Sequence, residues 1–346
     1  MSNWWPLIKT LPIKTNFAFV RFSTFAAFFS ILLVAASFAS FATAGFTKSP
    51  GQIYAESPVG VGGKAQGFFC AAFNCGVDFA GGSLLEVRTQ GPAQLEVFRA
   101  NLEAMKLNDV NVQAFGSNND VLIRFRTPDG QDPAKFVDVV KSDLRAKMPG
   151  IDITRSEVVG PKVSGELFQS GLMALGLAIL LMLIYIWFRF ELNYGIGAVV
   201  ALFHDVILTM GLLSVLRMEF SLTSIAALLT IIGYSMNDTV VVFDRMRENR
   251  RKFKKMPWPE LIDLSINETL SRTIITGGTG ILALGALMIW GGPTMFPFVF
   301  AMVFGIIVGT YSSIYVAAPA LLLSGSKVPA DRKGDDDQPA GARQAG

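Results

Sequence analysis

Between Phe220 and Phe243 the chain carries a single charged side chain, Asp238, in the run IIGYSMNDTVVVF. The stretch from Phe220 to Phe243 is long enough to cross a bilayer. A carboxylate at the centre of a membrane helix costs roughly 2.5–3.5 kcal/mol on insertion scales, so such a group points to a partner, an ion or a proton. Two readings are open. Asp238 is a packing acid, paired with a neighbouring cation or kept neutral by hydrogen bonds from Tyr234, Ser235 or Asn237, or it is a proton carrier. Burial raises a carboxyl pKa and an adjacent cation lowers it, and a group balanced between the two can load and release a proton. Arg272, in TLSRTIIT, is the natural cation. Asp238 lies seven residues from Arg245 at the edge of its stretch, ~10 Å deep at 1.5 Å per residue. Arg272 lies just inside the next apolar stretch from that same edge, so the depths match. The competing reading is that Arg272 snorkels to the interface. Asp205, beside His204, is a second acid in an apolar stretch. It is either a further relay group or a hydrogen-bonded cap between helices, and His204 is of a type that titrates near physiological pH. Asp238 and Arg272 are thus the candidate proton relay, with Asp205 as an added candidate.

These residues need a membrane scaffold, and the composition supplies one. Of 346 residues, 51% are hydrophobic, which places the chain in the membrane class. A net charge of +3 is too small to point to nucleic acid. One histidine and two cysteines leave little from which to build a metal site or a Ser-His-Asp triad. There is no GxxxxGK[ST] phosphate loop. The expectation is no enzyme activity, no catalytic residue, no metal and no cofactor, with energy drawn from an ion gradient or a partner. Cys70 and Cys75 are five apart. They either form a disulfide, if they face an oxidising compartment, or are two unpaired thiols.

Six spans follow from the uncharged runs. The first covers residues 22–47, after a cytoplasmic N-terminus at 1–21. FATAG at its end resembles a signal-peptidase site, but the run is longer than a signal h-region, so an uncleaved span is expected. Leu167 to Phe188, Leu192 to Leu216 and Phe220 to Phe243 are the next three. Thr273 to Ser326 is too long for one helix and is broken in two by GGPTMFP, so spans two to six occupy 166–324. The loop DRMRENRRKFKK after the fourth span carries seven cations, which sets it on the cytoplasmic side. Alternation then places both termini inside and the uncharged GGP turn outside. Trp187, Trp258 and Trp290 are expected at the interfaces. The tail at 325–346 is expected to be disordered.

Residues 48–165 form a soluble domain on the far side. GSLLEVRT (82–89) reads as a strand, 92–107 as a helix opened by proline, and VNVQAFG and VLIRFRT as a hairpin joined by SNND. Residues 133–148 read as a second helix and DITRSEVV as a last strand. The order β-α-β-β-α-β is ferredoxin-like, with its core at about 76–160. The segment from Pro50 to Cys75 reads as a loop or mobile connector.

Four motifs then carry a resemblance: GVDFAGGSLLEV (Gly76 to Val87), FHDVILTMGLLSVLRMEFSL (Phe203 to Leu222), IGYSMNDTVVVFDRMREN (Ile232 to Asn249) and TLSRTIITGG (Thr269 to Gly278). Together they resemble the SecF family of protein-export membrane subunits, within the SecD/SecF family and the RND superfamily. The resemblance covers the first span, the soluble domain and all later spans. It implies a subunit of the bacterial inner membrane that works with SecD. Such a pair uses the proton-motive force to complete preprotein translocation through the SecYEG channel after SecA has driven insertion. It implies a periplasmic soluble domain, and a proton path through the acid of the GYSxND motif and the arginine of the LxRT motif, here Asp238 and Arg272. The chain departs from the family pattern at residues 48–73, which read as an insertion before the GVDFAGG motif. The alternatives are an RND-type proton-driven exporter of lipids or small molecules, whose soluble domains are usually larger, and a scaffold whose buried charges only hold helices together.

Overall fold

The computed structural model describes residues 15–45, 52–53, 61–105, 107–128, 131–292 and 294–323. The tail at 325–346 and most of the N-terminus at 1–21, with Lys9 and Lys14, lie outside the described residues. In a bilayer every backbone N–H and C=O must be satisfied within the chain, so uncharged runs of this length become helices. Six helices are long and apolar enough to cross a membrane: Val20–Thr43, Pro161–Arg189, Leu192–Val215, Leu222–Lys252, Trp258–Trp290 and Phe296–Leu322.

The first begins with a 3-10 turn (Val20–Phe22) that leads into α1 (Ser23–Gly45). Next come α2 (Val61–Ala72), strand β1 (Asn74–Cys75) and a short α3 (Val77–Ala80). The sheet domain follows with β2 (Gly82–Arg88), α4 (Leu95–Ala104), β3 (Asn108–Phe115), β4 (Ser117–Arg126), α5 (Pro133–Lys147) and β5 (Asp152–Val159). Its four strands are antiparallel in the order β3-β4-β2-β5, the ferredoxin-like arrangement. Strand residues Leu85, Val87, Val121, Ile123 and Phe125 pack on Phe98 and Leu102 of α4 and on Val137, Val140 and Leu144 of α5. Asp132 caps α5 by accepting from the Ala134 N–H at 3.0 Å, with Pro133 in the first turn. SNND is not the hairpin turn: it lies within β4, and the reversal falls on Gly116 (φ 72°), where glycine carries the left-handed backbone without strain.

The remaining spans are α6 (Pro161–Arg189), α7 (Leu192–Val215), α8 (Leu222–Lys252), α9 (Trp258–Trp290) and α10 (Phe296–Ser312), with β6 (Glu219–Phe220) before α8. After α10 comes a π-turn (Ser313–Ala317) and then α11 (Ala318–Leu323). Pro319 accounts for the irregularity, because its ring displaces the carbonyl four residues earlier and its nitrogen cannot donate. Helices α7, α8 and α10 supply much of the bundle's buried surface, whereas α1, α6 and α9 are largely exposed in this chain. Gly305 and Gly309 let α10 approach α8 closely. A Cβ at Gly309 would come 2.9 Å from the Ser235 Cβ.

Several boundaries differ from the sequence expectation. DRMRENRRK continues α8 as far as Lys252, leaving only 253–257 to turn the chain. Helix α9 starts at Trp258, well before the apolar run, so Arg272 lies 14 residues into the helix but only four residues past Glu268, the last charged residue before it. Trp258 is buried beneath the Arg250 guanidinium, 4.7 Å from its ring centre, while Trp187 and Trp290 are exposed. The stretch from Pro50 to Cys75 is not all loop. It contains α2, and Cys70 and Cys75 form a disulfide rather than two free thiols.

The disulfide stands at the seam between sheet domain and bundle. β1 pairs in parallel with β6, Asn74 opposite Glu219 and Cys75 opposite Phe220. The Asn74 side-chain amide donates to the Arg217 carbonyl at 2.9 Å, and Arg124 of β4 forms an ion pair with Glu219 at 2.6 Å. Asp78 accepts from the Leu222 N–H at 3.1 Å, at the start of α8. Phe69, Phe73, Phe79, Phe168 and Phe220 close the seam with ring-to-ring contacts. At the other end of the bundle, the backbone at Phe17 is bonded in both directions by the Asn267 amide, and Asp263 accepts from the Val20 N–H.

Candidate functional site

Asp238 stands on the face of α8 that meets α9 and α10. It precedes the end of α8 by 14 residues, just as Arg272 follows the start of α9 by 14, so two adjacent helices bring the residues to similar depth, ~21 Å from that end. Both line a crevice with Tyr234, Asn237, Val241, Thr273, Thr276 and Thr310. The α8 members recur at the three- and four-residue spacing of one helical face. The crevice leaves about 10 Å³ for the centre of a water molecule, room for roughly one water.

The hydrogen bonds of Asp238 come from hydroxyls. Thr273 Oγ1 donates to Oδ1 at 2.6 Å and Ser313 Oγ to Oδ2 at 2.8 Å. Arg272 shares the crevice without closing an ion pair with Asp238 among the described residues, and its side chain is exposed. Ser235, expected as a donor to Asp238, instead faces the other acid.

That acid, Asp205, is 1% exposed on α7. It accepts from Ser235 Oγ of α8 at 2.5 Å and Ser312 Oγ of α10 at 2.7 Å, and it lies 2.9 Å from His204 Nδ1. The His204 ring stacks on Tyr311, with ring centres 6.1 Å apart. The Tyr311 hydroxyl in turn donates to the Ala26 carbonyl of α1 at 2.8 Å. The acids are therefore built alike, each held by two hydroxyls from neighbouring helices, and adjacent serines, Ser312 and Ser313, serve one acid each.

Both acids and Arg272 stand out in the sequence as charges in apolar runs, whereas Ser312, Ser313 and Thr273 do not. Their one visible signal is polar residues placed inside uncharged runs. Which acid a given hydroxyl serves depends on helix rotation, which the sequence leaves open.

A second polar cluster lies where α6 ends. Arg189 pairs with Asp244, and Arg247 donates to the Arg189 carbonyl at 3.4 Å. With Glu248, Arg251 and Lys252 they line an open basin of about 610 Å³. Arg245 is tied to Glu268 at 2.7 Å and Glu248 at 2.6 Å. Among the described residues, no group of three or more His, Cys, Asp or Glu is placed to hold a metal ion.

Residues 139–327 match the family model of the protein export membrane protein SecD/SecF C-terminal region, and residues 73–93 match the SecD/SecF GG motif. The glycines of that motif include Gly82, with φ 106° and a Cβ position 2.8 Å from the Phe125 carbonyl oxygen, a site that excludes a side chain. The chain is 41% identical to protein translocase subunit SecF of Rhodobacter capsulatus over 347 residues, covering 96% of each. It is 40% identical to protein translocase subunit SecF of Rickettsia akari, covering 91% of this chain and 94% of the relative. The crystal structure of SecDF, a translocon-associated membrane protein from Thermus thermophilus, superposes with a TM-score of 0.74 at 32% identity. That match covers 91% of this chain and 39% of the longer one. A second SecDF structure, in a super-membrane-facing form, gives a TM-score of 0.54 at 29% identity.

Proposed function

The chain belongs to the SecD/SecF family of protein export membrane proteins, and from that premise we propose that it works with SecD to complete preprotein translocation through SecYEG, after SecA-driven insertion, at the expense of the proton-motive force. The observation that carries the reading is Asp238, a half-buried carboxylate in a membrane helix. It has hydroxyl donors on two sides and an arginine across the same small crevice. Burial favours the neutral form of a carboxyl and hydroxyl donors favour the ionised form, so the setting suits a group that takes up and gives off a proton. Arg272 offers a counter-charge that can close on the ionised acid and withdraw from the protonated one. One charge crossing 100 mV is worth about 2.3 kcal/mol, enough to drive a conformational cycle by repeated steps. No bond of the preprotein is made or broken in this reading, and neither an enzyme reaction nor a cofactor is invoked.

The exposed face of α9 supports a partner. Arg272, Ile275, Thr279, Leu282 and Ile289 lie on it at helical spacing, and an arginine within the apolar stretch turned toward lipid is costly. A SecD subunit covering that face removes the cost. In the proposed placement both termini are cytoplasmic, the sheet domain is periplasmic and the helices lie in the bacterial inner membrane. The test is preprotein release from cells carrying Asp238→Asn, with SecD co-purification as the assembly control. We expect an assembled complex whose gradient-dependent export falls to the level of a deletion. Unchanged export would make Asp238 structural.

A further inference from the structure

Ser312 and Ser313 close α10 where it passes into the π-turn, and each sits between two acceptors. Ser312 Oγ is 2.7 Å from Asp205 Oδ2 and 3.1 Å from the Gly309 carbonyl oxygen. Ser313 Oγ is 2.8 Å from Asp238 Oδ2 and 2.9 Å from the Thr310 carbonyl oxygen. A hydroxyl has one hydrogen, so neither serine can fully serve both acceptors at once. An ionised carboxylate claims that hydrogen, because a charge-assisted bond is roughly twice as strong as a neutral one. A protonated carboxyl donates its own O–H to the serine oxygen instead, and the serine hydrogen turns to the carbonyl three residues back. No atom is gained or lost beyond the proton on the acid.

We propose that the Ser312–Ser313 pair couples Asp205 to Asp238, so that the π-turn reads the protonation of both acids and the two titrate as one unit. The inference deepens the proton-carrier reading of Asp238 and rests on it for its role in export. Serine hydroxyls bonded back to helix carbonyls bend and loosen a helix, and π-turns recur at functional sites. Here the Gly309 carbonyl also accepts the backbone N–H of Ser313. Each proton event therefore alters the bonds that hold the start of the turn. The turn is tightly seated: a Cβ at Gly197 of α7 would come 2.6 Å from the Ala317 carbonyl oxygen, and Tyr315 packs on Phe19 at 6.0 Å between ring centres. A change in the turn is thus passed to α7 and to the first span. The other titratable or charged groups near the pair are His204 beside Asp205, Arg272 and Tyr234 on the Asp238 crevice, and Tyr311 and Tyr315 on the turn.

The test is pH-difference infrared spectroscopy of the full-length protein in lipid, with isotope-labelled aspartate. The two carboxyl bands are assigned by Asp205→Asn and Asp238→Asn. Coupling predicts that Asp238→Asn moves the Asp205 midpoint by about one pH unit or more. It predicts that Ser312→Ala or Ser313→Ala removes most of that cross-shift, and that Ser312→Thr and Ser313→Thr restore it. Independent midpoints, or a cross-shift undiminished in the double alanine variant, would overturn the proposal. If the alanine variants do not accumulate, Ser312→Cys and Ser313→Cys give the same readout, since a thiol is a weak donor. Export by Asp238→Asn separates the two claims. Lost export with independent midpoints rejects the coupling and keeps the carrier, whereas normal export with coupled midpoints does the reverse.

Discussion

Among the described residues Asp238 is held by no backbone group and no direct ion pair, but by the hydroxyls of Thr273 and Ser313. A single neutral donor to such a group is worth about 1 kcal/mol net. Thr273→Val keeps the shape of the side chain and deletes the donor, so export should fall roughly five-fold, as 1 kcal/mol implies, while Thr273→Ser should stay near the parent rate. A rate for Thr273→Val equal to the parent would leave Thr273 with a packing role alone. The acids and Arg272 could be read from the sequence because charge in an apolar run is rare. The serines could not, because a hydroxyl in a membrane helix more often bonds its own backbone, as Thr230 and Ser265 do here.

Elements rather than single residues decide how the sheet domain is seated. Strand β6 is two residues long and carries Glu219, whose carboxyl is pushed above the ordinary glutamate range by burial, with the Arg124 guanidinium pulling the other way. An acid whose folded pKa is raised binds its proton more tightly folded than unfolded. The folded state therefore loses stability as pH rises from the ordinary glutamate range through the raised value. Thermal unfolding of the full-length protein should show that slope, and Glu219→Gln should flatten it. Arg124→Met leaves the buried carboxylate unpaired and should cost about 3 kcal/mol at neutral pH. A pH profile unchanged by Glu219→Gln would remove Glu219 as the cause. The ferredoxin-like order was legible because β5 alternates and α5 begins at Pro133 behind the Asp132 cap, whereas α4, expected to open at Pro92, begins at Leu95 with no side-chain cap. The seam was not. β1 and β6 are too short to show a period, and a parallel pair between residues 75 and 220 is a long-range contact that local pattern cannot announce. The same holds for α2, whose Gly- and Ala-rich sequence carries too few apolar residues to announce a helix and is held by the disulfide, by Gln66 donating to the Phe79 carbonyl and by the Phe69 ring against Phe73, Phe168 and Phe220.

Across the whole molecule, span number followed directly from composition, but span length did not. Both α8 and α9 run well beyond the apolar core, Asp244 to Lys252 and Trp258 to Glu268 forming a helical extension tied by Arg245, Asn249 and Glu268. Hydropathy ends where charge begins, whereas the helix continues as long as ion pairs between neighbouring helices support it. The exposed face of α9 is where this chain meets a second subunit in the proposed assembly. A photo-crosslinker at Leu282 (76% exposed) should capture SecD, and one at Met173 of α6 (70% exposed) should not. Capture of lipid alone at Leu282 would reject that face as the interface.

The seam also fixes an order of events during synthesis. β1 emerges from the ribosome after one span, but its partner β6 emerges only after α7. Domains fold as they are made, N-terminal parts first, so the sheet domain completes its own core before its seat exists. It must wait, tethered by one helix, then two, then three, until residues 219 and 220 arrive. The Cys70–Cys75 bridge spans five residues and needs nothing beyond them. It can therefore hold β1 in shape through that interval, as a template prepared in advance for a strand not yet translated.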